Sequence, residues 1–102
     1  MKNLSASQLT KDALMMLKAK GIHCWRQQNS SYGNRRNIAT KGVPDILGFD
    51  GSGKIVCCEV KTLNDRLSEE QREFLSKVKD SGGLALIANQ SQGSTVINEF
   101  KK

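Results

Sequence analysis

The sequence has no long apolar run, and none of its stretches approaches the ~20 consecutive apolar residues that cross a bilayer. Its first residues also lack the apolar core of a signal peptide. It therefore predicts no membrane association and, by default, a cytoplasmic protein. Internal repeats and linker-like stretches are absent as well, so we expect a single domain over residues 1–102.

Cysteine is scarce and its count is odd, which excludes the disulfide framework of a small secreted domain. Two of the three cysteines, Cys57 and Cys58, are adjacent and would face opposite ways on a strand. No C-x-x-C spacing exists, so a zinc site is not indicated. Small buried thiols are the expected role. A helix-turn-helix or zinc-finger pattern that could read DNA sequence is also missing.

Acidic residues are absent between Asp12 and Asp45. The same segment contains six basic residues, which equal the whole net charge of +6: Lys18, Lys20, Arg26, Arg35, Arg36 and Lys41. Such a concentration favours a polyanionic partner, most commonly DNA or RNA. The alternative is a basic surface with no specific partner.

The stretch KGVPDILGFDGSGKIVCCEVKTL, residues 41–63, combines charged and apolar residues in an unusual way. It predicts two strands joined at Gly51-Ser52-Gly53, with the side chains of a packed interior: Val43, Ile46, Leu47, Phe49, Ile55, Val56, Cys57, Cys58 and Val60. Asp45 opens the first strand, while Glu59 and Lys61 share one face near the end of the second.

The type of turn decides whether these charged residues meet. A three-residue loop with Gly53 in the left-handed conformation pairs Asp50 with Lys54 and sets Asp45 opposite Glu59. A two-residue turn would instead set Asp45 against Cys58, with Glu59 on the other face. We predict the three-residue loop, because it has a glycine where positive φ is needed.

Buried unpaired carboxylates are strongly disfavoured, and a metal ion bound by Asp45 and Glu59 would remove that penalty. Hard oxygen ligands of this kind suit Mg²⁺ or Mn²⁺. The alternative is structural: Asp45 would be a turn residue after Pro44, and Glu59 and Lys61 a solvated strand end.

Helical patterns flank the hairpin. Residues 5–20 and 68–81 read as helices, residues 22–26 as a short strand in which Trp25 packs, and residues 84–88 as a buried strand parallel to the second hairpin strand. Residues 95–100 could form an edge strand or a short helix. The polar loop 27–40 contains Tyr32, Arg35 and Arg36, which suit stacking and phosphate contacts.

These motifs resemble a known superfamily. Gly42-x-Pro44-Asp45, Glu59-Val60-Lys61 and Gln71 in the next helix are similar to the PD-(D/E)xK nucleases, and the wording KGVPDILGF…EVKTLNDRLSEEQREFL resembles the stand-alone form of the virus-type replication–repair nuclease (VRR-NUC) domain over roughly residues 9–90. The resemblance implies an α+β, restriction-endonuclease-like core of order α-β-β-β-α-β, with a mixed central sheet flanked by helices.

The resemblance also implies roles. Asp45, Glu59 and the Val60 carbonyl would bind Mg²⁺ or Mn²⁺, and Lys61 would orient water or neutralise charge on the phosphate. Gln71 would point at Lys61 or the water, although Ser68-x-x-Gln71 equally reads as a capping box. Superfamily members often carry an acid on the first helix; here only Gln8 or Asp12 could take that place, and both stay outside the predicted site.

The implied function is a metal-dependent, structure-selective endonuclease on branched DNA, similar to Holliday junction resolvases and acting as a homodimer. Its DNA contacts would come from the basic segment: Arg26, Tyr32, Arg35, Arg36 and Lys41. Two other hypotheses stay open, a restriction-like sequence-specific endonuclease and a non-catalytic nucleic-acid-binding module.

Overall fold

A mixed sheet of five strands with a helix on each face forms the structure, a computed structural model that describes residues 3–27 and 41–102. The elements in chain order are α1 (Ala6–Ala19), β1 (His23–Arg26), β2 (Ile46–Phe49), β3 (Ile55–Val60), α2 (Glu69–Asp80), β4 (Leu84–Ser91) and β5 (Ser94–Glu99). The strands lie side by side in the order β1-β2-β3-β4-β5.

Strand directions follow the connections between them. β1 and β2, β2 and β3, and β4 and β5 pair antiparallel, whereas β3 and β4 are parallel and are joined through α2. This arrangement confirms the predicted mixed α+β core and its element order. Of the two alternatives for residues 95–100, an edge strand or a short helix, the structure forms the edge strand. This strand, β5, pairs antiparallel with β4 after a tight turn at Gln92 and Gly93.

Each helix begins at a serine cap. The Ser5 hydroxyl accepts a hydrogen bond from the Gln8 N–H at 3.1 Å and starts α1. Ser68 and Gln71 form a full capping box at α2, in which each side chain accepts from the other residue's backbone N–H. Both helices begin and end within two residues of the predicted bounds. Neither helix of the described residues has the length and apolarity to span a bilayer.

Two apolar clusters lie on opposite faces of the sheet. α1 covers the cluster that contains Ile46, Val56 and Cys58, and α2 covers the one that contains Cys57. The adjacent cysteines therefore face opposite helices, and all three cysteines of the chain are buried and unbridged. Burial raises the pKa of the Cys57 thiol to about 12, so this group is an inert core residue.

The predicted interior is wrong at one end of the hairpin. Phe49 and Ile55 are 46% and 45% exposed, and Trp25 is 42% exposed on the edge strand β1. α2 packs mainly on β3 and β4, and on β2 only Leu47 packs against the cluster under it in the described part of the chain. The apolar pattern alone does not show how far a helix extends over a sheet.

Candidate active site

The turn between β2 and β3 has the predicted length. The Asp50 N–H donates to the Lys54 carbonyl at 3.0 Å, and Gly53 adopts φ +88°. The Asp50 carboxylate fixes this loop by accepting from the N–H groups of Ser52 and Lys54, both at 2.9 Å. The resulting register pairs Ile46 with Cys58. One residue further along the strands, Asp45 lies opposite Glu59.

The two carboxyl groups meet on the face that α2 covers. Glu59 is 2% exposed, and its Oε2 atom has no hydrogen-bond partner in the described residues. Asp45 Oδ2 accepts from the Val60 N–H at 2.8 Å. The N–H and C=O of one strand residue point the same way, so the Val60 carbonyl faces the same side of β3 as Asp45.

The electrostatics at this pair favour a protonated Glu59 when no cation is bound. Burial, a hydrogen bond with the Asp45 carboxyl and the charge of that group raise the pKa of Glu59 to about 9. The nearby Lys61 ammonium acts in the opposite direction and does not compensate. Two acids in one small space thus create a strongly negative centre that a cation would stabilise.

Lys61 follows directly after β3, and a short turn restrains its side chain. The ammonium donates to the Arg66 carbonyl at 3.2 Å. That turn is closed by Asp65, whose carboxylate accepts from the Thr62 N–H at 3.2 Å and from the Thr62 hydroxyl at 2.8 Å. These bonds lower the pKa of Asp65, so it stays ionised and keeps the turn closed.

The loop before Asp45 docks on the first turn of α2. Gly42 has φ +80°, and a Cβ atom there would lie 2.4 Å from the Glu70 carbonyl oxygen and 3.0 Å from the Gln71 nitrogen. Only glycine allows so close an approach of two backbones. The docking brings Gln71 near the loop, but its Oε1 atom accepts from the Ser68 N–H at 2.8 Å. The structure thus forms the capping-box alternative, and a role for Gln71 in the site stays a prediction.

The residues present fit a hard divalent cation. Asp45 and Glu59 supply oxygen donors, one of them buried without a partner, and the Val60 carbonyl lies alongside. Among the described residues, no group of three His, Cys, Asp or Glu side chains could hold a metal. A cation here would therefore complete its coordination with backbone, water or substrate oxygens, as Mg²⁺ commonly does.

The first helix contributes no carboxylate to this pair. Asp12 accepts from the Gln8 amide at 2.8 Å and from the Thr95 hydroxyl at 2.6 Å. These contacts tie the exposed side of α1 to β5, on the face of the sheet away from Glu59. Whether Gln8 or Asp12 takes part in the site stays open.

The predicted DNA-binding residues are only partly described. Arg26 and Lys41 are exposed. Arg26 pairs with Ile46 on the edge strand, so its side chain lies on the α1 face, and Lys41 begins the loop that leads to Asp45. Tyr32, Arg35 and Arg36 lie outside the described residues.

An exposed aromatic cluster beside the site was not predicted. His23 and Phe49 stack with ring centroids 4.9 Å apart, and Trp25 packs edge-on against both. The alternation of His23 and Trp25 along a strand was visible in the sequence. The pairing of His23 with Phe49 was not visible, because the loop between β1 and β2 is too long to fix a register.

Known proteins resemble the chain in both sequence and fold. It is 46% identical over 48 residues to the Fanconi-associated nuclease 1 homolog of Arabidopsis thaliana, a match that covers 40% of this chain and 5% of that protein. The chain thus corresponds to only a small part of that relative.

Its fold is similar to that of Hjc, a Holliday junction resolvase of the archaeon Archaeoglobus fulgidus. The TM-score is 0.61 at 19% sequence identity, over 91% of this chain and 75% of the other. This likeness shows that the sheet and its helices have the PD-(D/E)xK nuclease fold. Residues 1–92 match the VRR-NUC domain, so the chain belongs to the VRR-NUC nuclease family.

Proposed function

We propose that this chain is a divalent-metal-dependent endonuclease that hydrolyses phosphodiester bonds in branched DNA. The observation that carries the proposal is the buried Asp45–Glu59 pair, with its partnerless oxygen, beside Lys61. A purely structural role does not account for two adjacent acids in a sheet, because their mutual repulsion and desolvation destabilise the fold.

Asp45, Glu59 and the Val60 carbonyl would hold Mg²⁺ or Mn²⁺. Such a cation, when bound, polarises a scissile phosphate and lowers the pKa of a coordinated water. The Asp45 carboxylate is already oriented by the Val60 N–H, so it needs little reorganisation to act as a ligand. The burial of Glu59 excludes bulk water and strengthens every charge interaction at the site.

Lys61 would stabilise negative charge that develops on the phosphoryl oxygens or would orient the attacking water. Among the described residues, the ammonium donates to the carbonyl oxygen of Arg66, which is a weaker acceptor than a phosphate. The ammonium can therefore exchange this contact for one with the substrate. The Thr62–Asp65 turn keeps it close to the carboxyl pair until then.

The preference for branched DNA is supported by the fold that the chain shares with a Holliday junction resolvase, and the net charge of +6 supports a polyanionic partner in general. The described residues contain no element that reads base sequence in a groove, which weighs against a restriction-like enzyme. Paired cuts across a junction need two active sites, so we infer a homodimer. Sedimentation of the free and DNA-bound protein measures that assembly.

The test incubates the protein with a four-way junction, a flap and a linear duplex, each with Mg²⁺ and with EDTA. We expect cleavage of the branched substrates in Mg²⁺ and none in EDTA. Asp45→Asn and Lys61→Ala should each lower the cleavage rate by at least about 100-fold while DNA binding is largely retained.

Asp12→Asn is the matched control, because Asp12 is a part-buried, hydrogen-bonded acid on the other face of the sheet. It should cleave at the wild-type rate. Normal cleavage by Asp45→Asn and Lys61→Ala would contradict the proposed site. Binding without cleavage by the wild type would favour the non-catalytic module, and cutting of linear duplex at one sequence would favour the restriction-like enzyme.

A further inference from the structure

Three aromatic rings form an exposed cluster on β1 and β2 at one edge of the sheet. His23 and Trp25 on β1 lie directly opposite Phe49 and Leu47 on β2. The rings of His23, Trp25 and Phe49 contact one another, and Trp25 and Phe49 are 42% and 46% exposed. Large exposed aromatic side chains that pack together on a small protein mark an interaction surface more often than isolated ones do.

This cluster lies on the same face as the carboxyl pair. Asp45, Leu47 and Phe49 alternate along one strand, so their side chains point to the same side of the sheet. Leu47 is only two residues, about 7 Å, from Asp45, and Trp25 is its cross-strand neighbour. A phosphate bound at the carboxyl pair would therefore place the adjoining nucleotides within reach of these rings.

The chemistry of the cluster suits unpaired bases. Aromatic side chains stack on any base, because every base presents a π-face. The surrounding charge is favourable, since exposed Lys77 lies beside Ile55 at one end of the patch and Lys61 lies at the other. Asp50 follows Phe49 in the chain, and its carboxylate is engaged by backbone N–H groups of its own loop. A base-paired duplex, in contrast, keeps its π-faces covered.

A second copy of the chain is a poorer fit for this patch. An aromatic side chain buries 150–250 Å² when fully covered, so three half-exposed rings offer on the order of 300 Å². A stable protein interface takes about 800 Å² from each partner. The exposed Ile55 beside Phe49 does not make up that difference.

From the proximity of this cluster to the carboxyl pair, we propose that His23, Trp25 and Phe49 form a stacking platform for unpaired bases next to the scissile phosphate. The platform rests on the proposed nuclease function and narrows its substrate to DNA with single-stranded nucleotides at the cut site. Trp25, as the largest ring, would supply most of the stacking.

Trp25 is the only tryptophan of the chain, so its fluorescence reports on the platform directly. The protein is titrated in EDTA with a single-stranded oligothymidine and, separately, with a blunt duplex of equal length. We expect the single strand to quench Trp25 and the duplex to leave it nearly unchanged. Trp25→Leu, which keeps apolar bulk but has no ring, should bind the single strand about 5-fold or more weakly by fluorescence anisotropy.

Three variants complete the experiment. Trp25→Phe should restore part of the lost affinity, because it returns a ring. Met15→Ala removes an apolar side chain on α1 that is more exposed than Trp25, 64% against 42%, and should leave the affinity unchanged. Circular dichroism checks that each variant is folded. In Mg²⁺, Trp25→Leu should cut a flap more slowly than wild type, whereas Met15→Ala should cut it at the wild-type rate.

Several results would overturn the platform. One is single-strand binding that does not quench Trp25, and another is an affinity of Trp25→Leu for the single strand equal to that of wild type. A third is quenching of Trp25 that rises with protein concentration when no DNA is present, which would indicate that a second copy of the chain covers the platform. Because the titration uses EDTA, it is independent of hydrolysis. Failure of the nuclease assay with retained quenching would reject the proposed enzyme and leave a single-strand binder.

Discussion

The side chains on the two faces of β3 have different roles. On the α1 face, Val56, Cys58 and Val60 are apolar or thiol groups buried in a continuous core. On the α2 face of the same strand, Cys57 is followed by Glu59 and Lys61. The side chains on the α1 face stabilise the fold by close packing. The α2 face instead contains the buried acid Glu59, whose Oε2 atom has no hydrogen-bond partner in the described residues. Such a departure from good packing is typical of functional positions.

A substitution at the acid on the α2 face should therefore reduce cleavage, whereas a substitution in the core on the α1 face should reduce stability. Glu59→Gln should lower the cleavage rate by at least about 100-fold and leave the metal-free protein as stable as wild type or more stable, because it removes an acid that destabilises the fold. Ile46→Ala, at a residue with no exposed surface on the α1 face, should lose about 2–5 kcal/mol of unfolding free energy. Urea denaturation and the cleavage assay measure both quantities.

If Glu59→Gln unfolds more easily than wild type without metal, the acid is a structural residue and the contrast between the faces disappears. Residual cleavage by folded Ile46→Ala, at a temperature below its transition, would in turn show that the α1 face acts only through stability.

Substitutions at two glycines with positive φ separate the stability lost through backbone conformation from the stability lost through a steric clash. Gly53→Ala should lose about 1–2 kcal/mol, because its φ is +88° but no atom lies within 4 Å of the new Cβ. Gly42→Ala should lose about 2–5 kcal/mol, since its Cβ would also clash with the Glu70 carbonyl. Thermal denaturation compares the two variants. Equal losses would mean that the docking of this loop on α2 contributes little.

The buried acid should make stability fall with pH when metal is absent. The folded pKa of Glu59 is about 9 against an ordinary 4.5, so between these values the native state holds a proton that the unfolded chain has released. Stability from this group is therefore complete below pH 4.5 and is lost as the pH rises towards 9. Each pH unit in that window costs up to about 1.4 kcal/mol.

The difference between wild type and Glu59→Gln isolates this contribution, because other groups titrate in both proteins. We expect the difference in melting temperature to grow from pH 5 to pH 8. Added Mn²⁺ should stabilise wild type at pH 8 and Glu59→Gln much less. A pH-independent difference would contradict a Glu59 that is protonated in the native state.

The smallest effect concerns Gln71, which serves the helix cap. Ser68→Ala should cost about 1 kcal/mol and Gln71→Ala a similar or smaller amount, because each removes one bond of the same capping box. Both variants should cleave at nearly the wild-type rate. A large loss of cleavage in Gln71→Ala alone would assign it the catalytic role that the family resemblance implies.

Local rules were sufficient to predict most of the hairpin and its site. The glycine at position 53 selected the loop, the loop set the register, and the register brought Asp45 to Glu59. The serines at 5 and 68 likewise located both helix starts. In each case the deciding interaction spans only a few residues, so the sequence contains it in readable form.

Long-range packing was not predictable in the same way. The exposure of Trp25 and Phe49 depends on where α2 ends relative to β1, and no short segment encodes that distance. The choice of β5 over a helix depended on the free edge of β4, to which the last residues add. The contact of Lys61 with the Arg66 carbonyl required the path of a turn that has no distinctive sequence signal.

The loop at Gly51-Ser52-Gly53 has an evolutionary consequence. Exposed hairpin tips normally tolerate inserted or deleted residues. Here the loss of one residue would shift the register of β2 against β3 by one position, so that Asp45 and Glu59 would point to opposite faces of the sheet. Mutational drift in this gene should thus accept almost any side chain at position 52 and reject any change in the number of residues. The tip of the hairpin thus accepts changes of side chain at position 52, needs glycine at position 53 and is fixed in length.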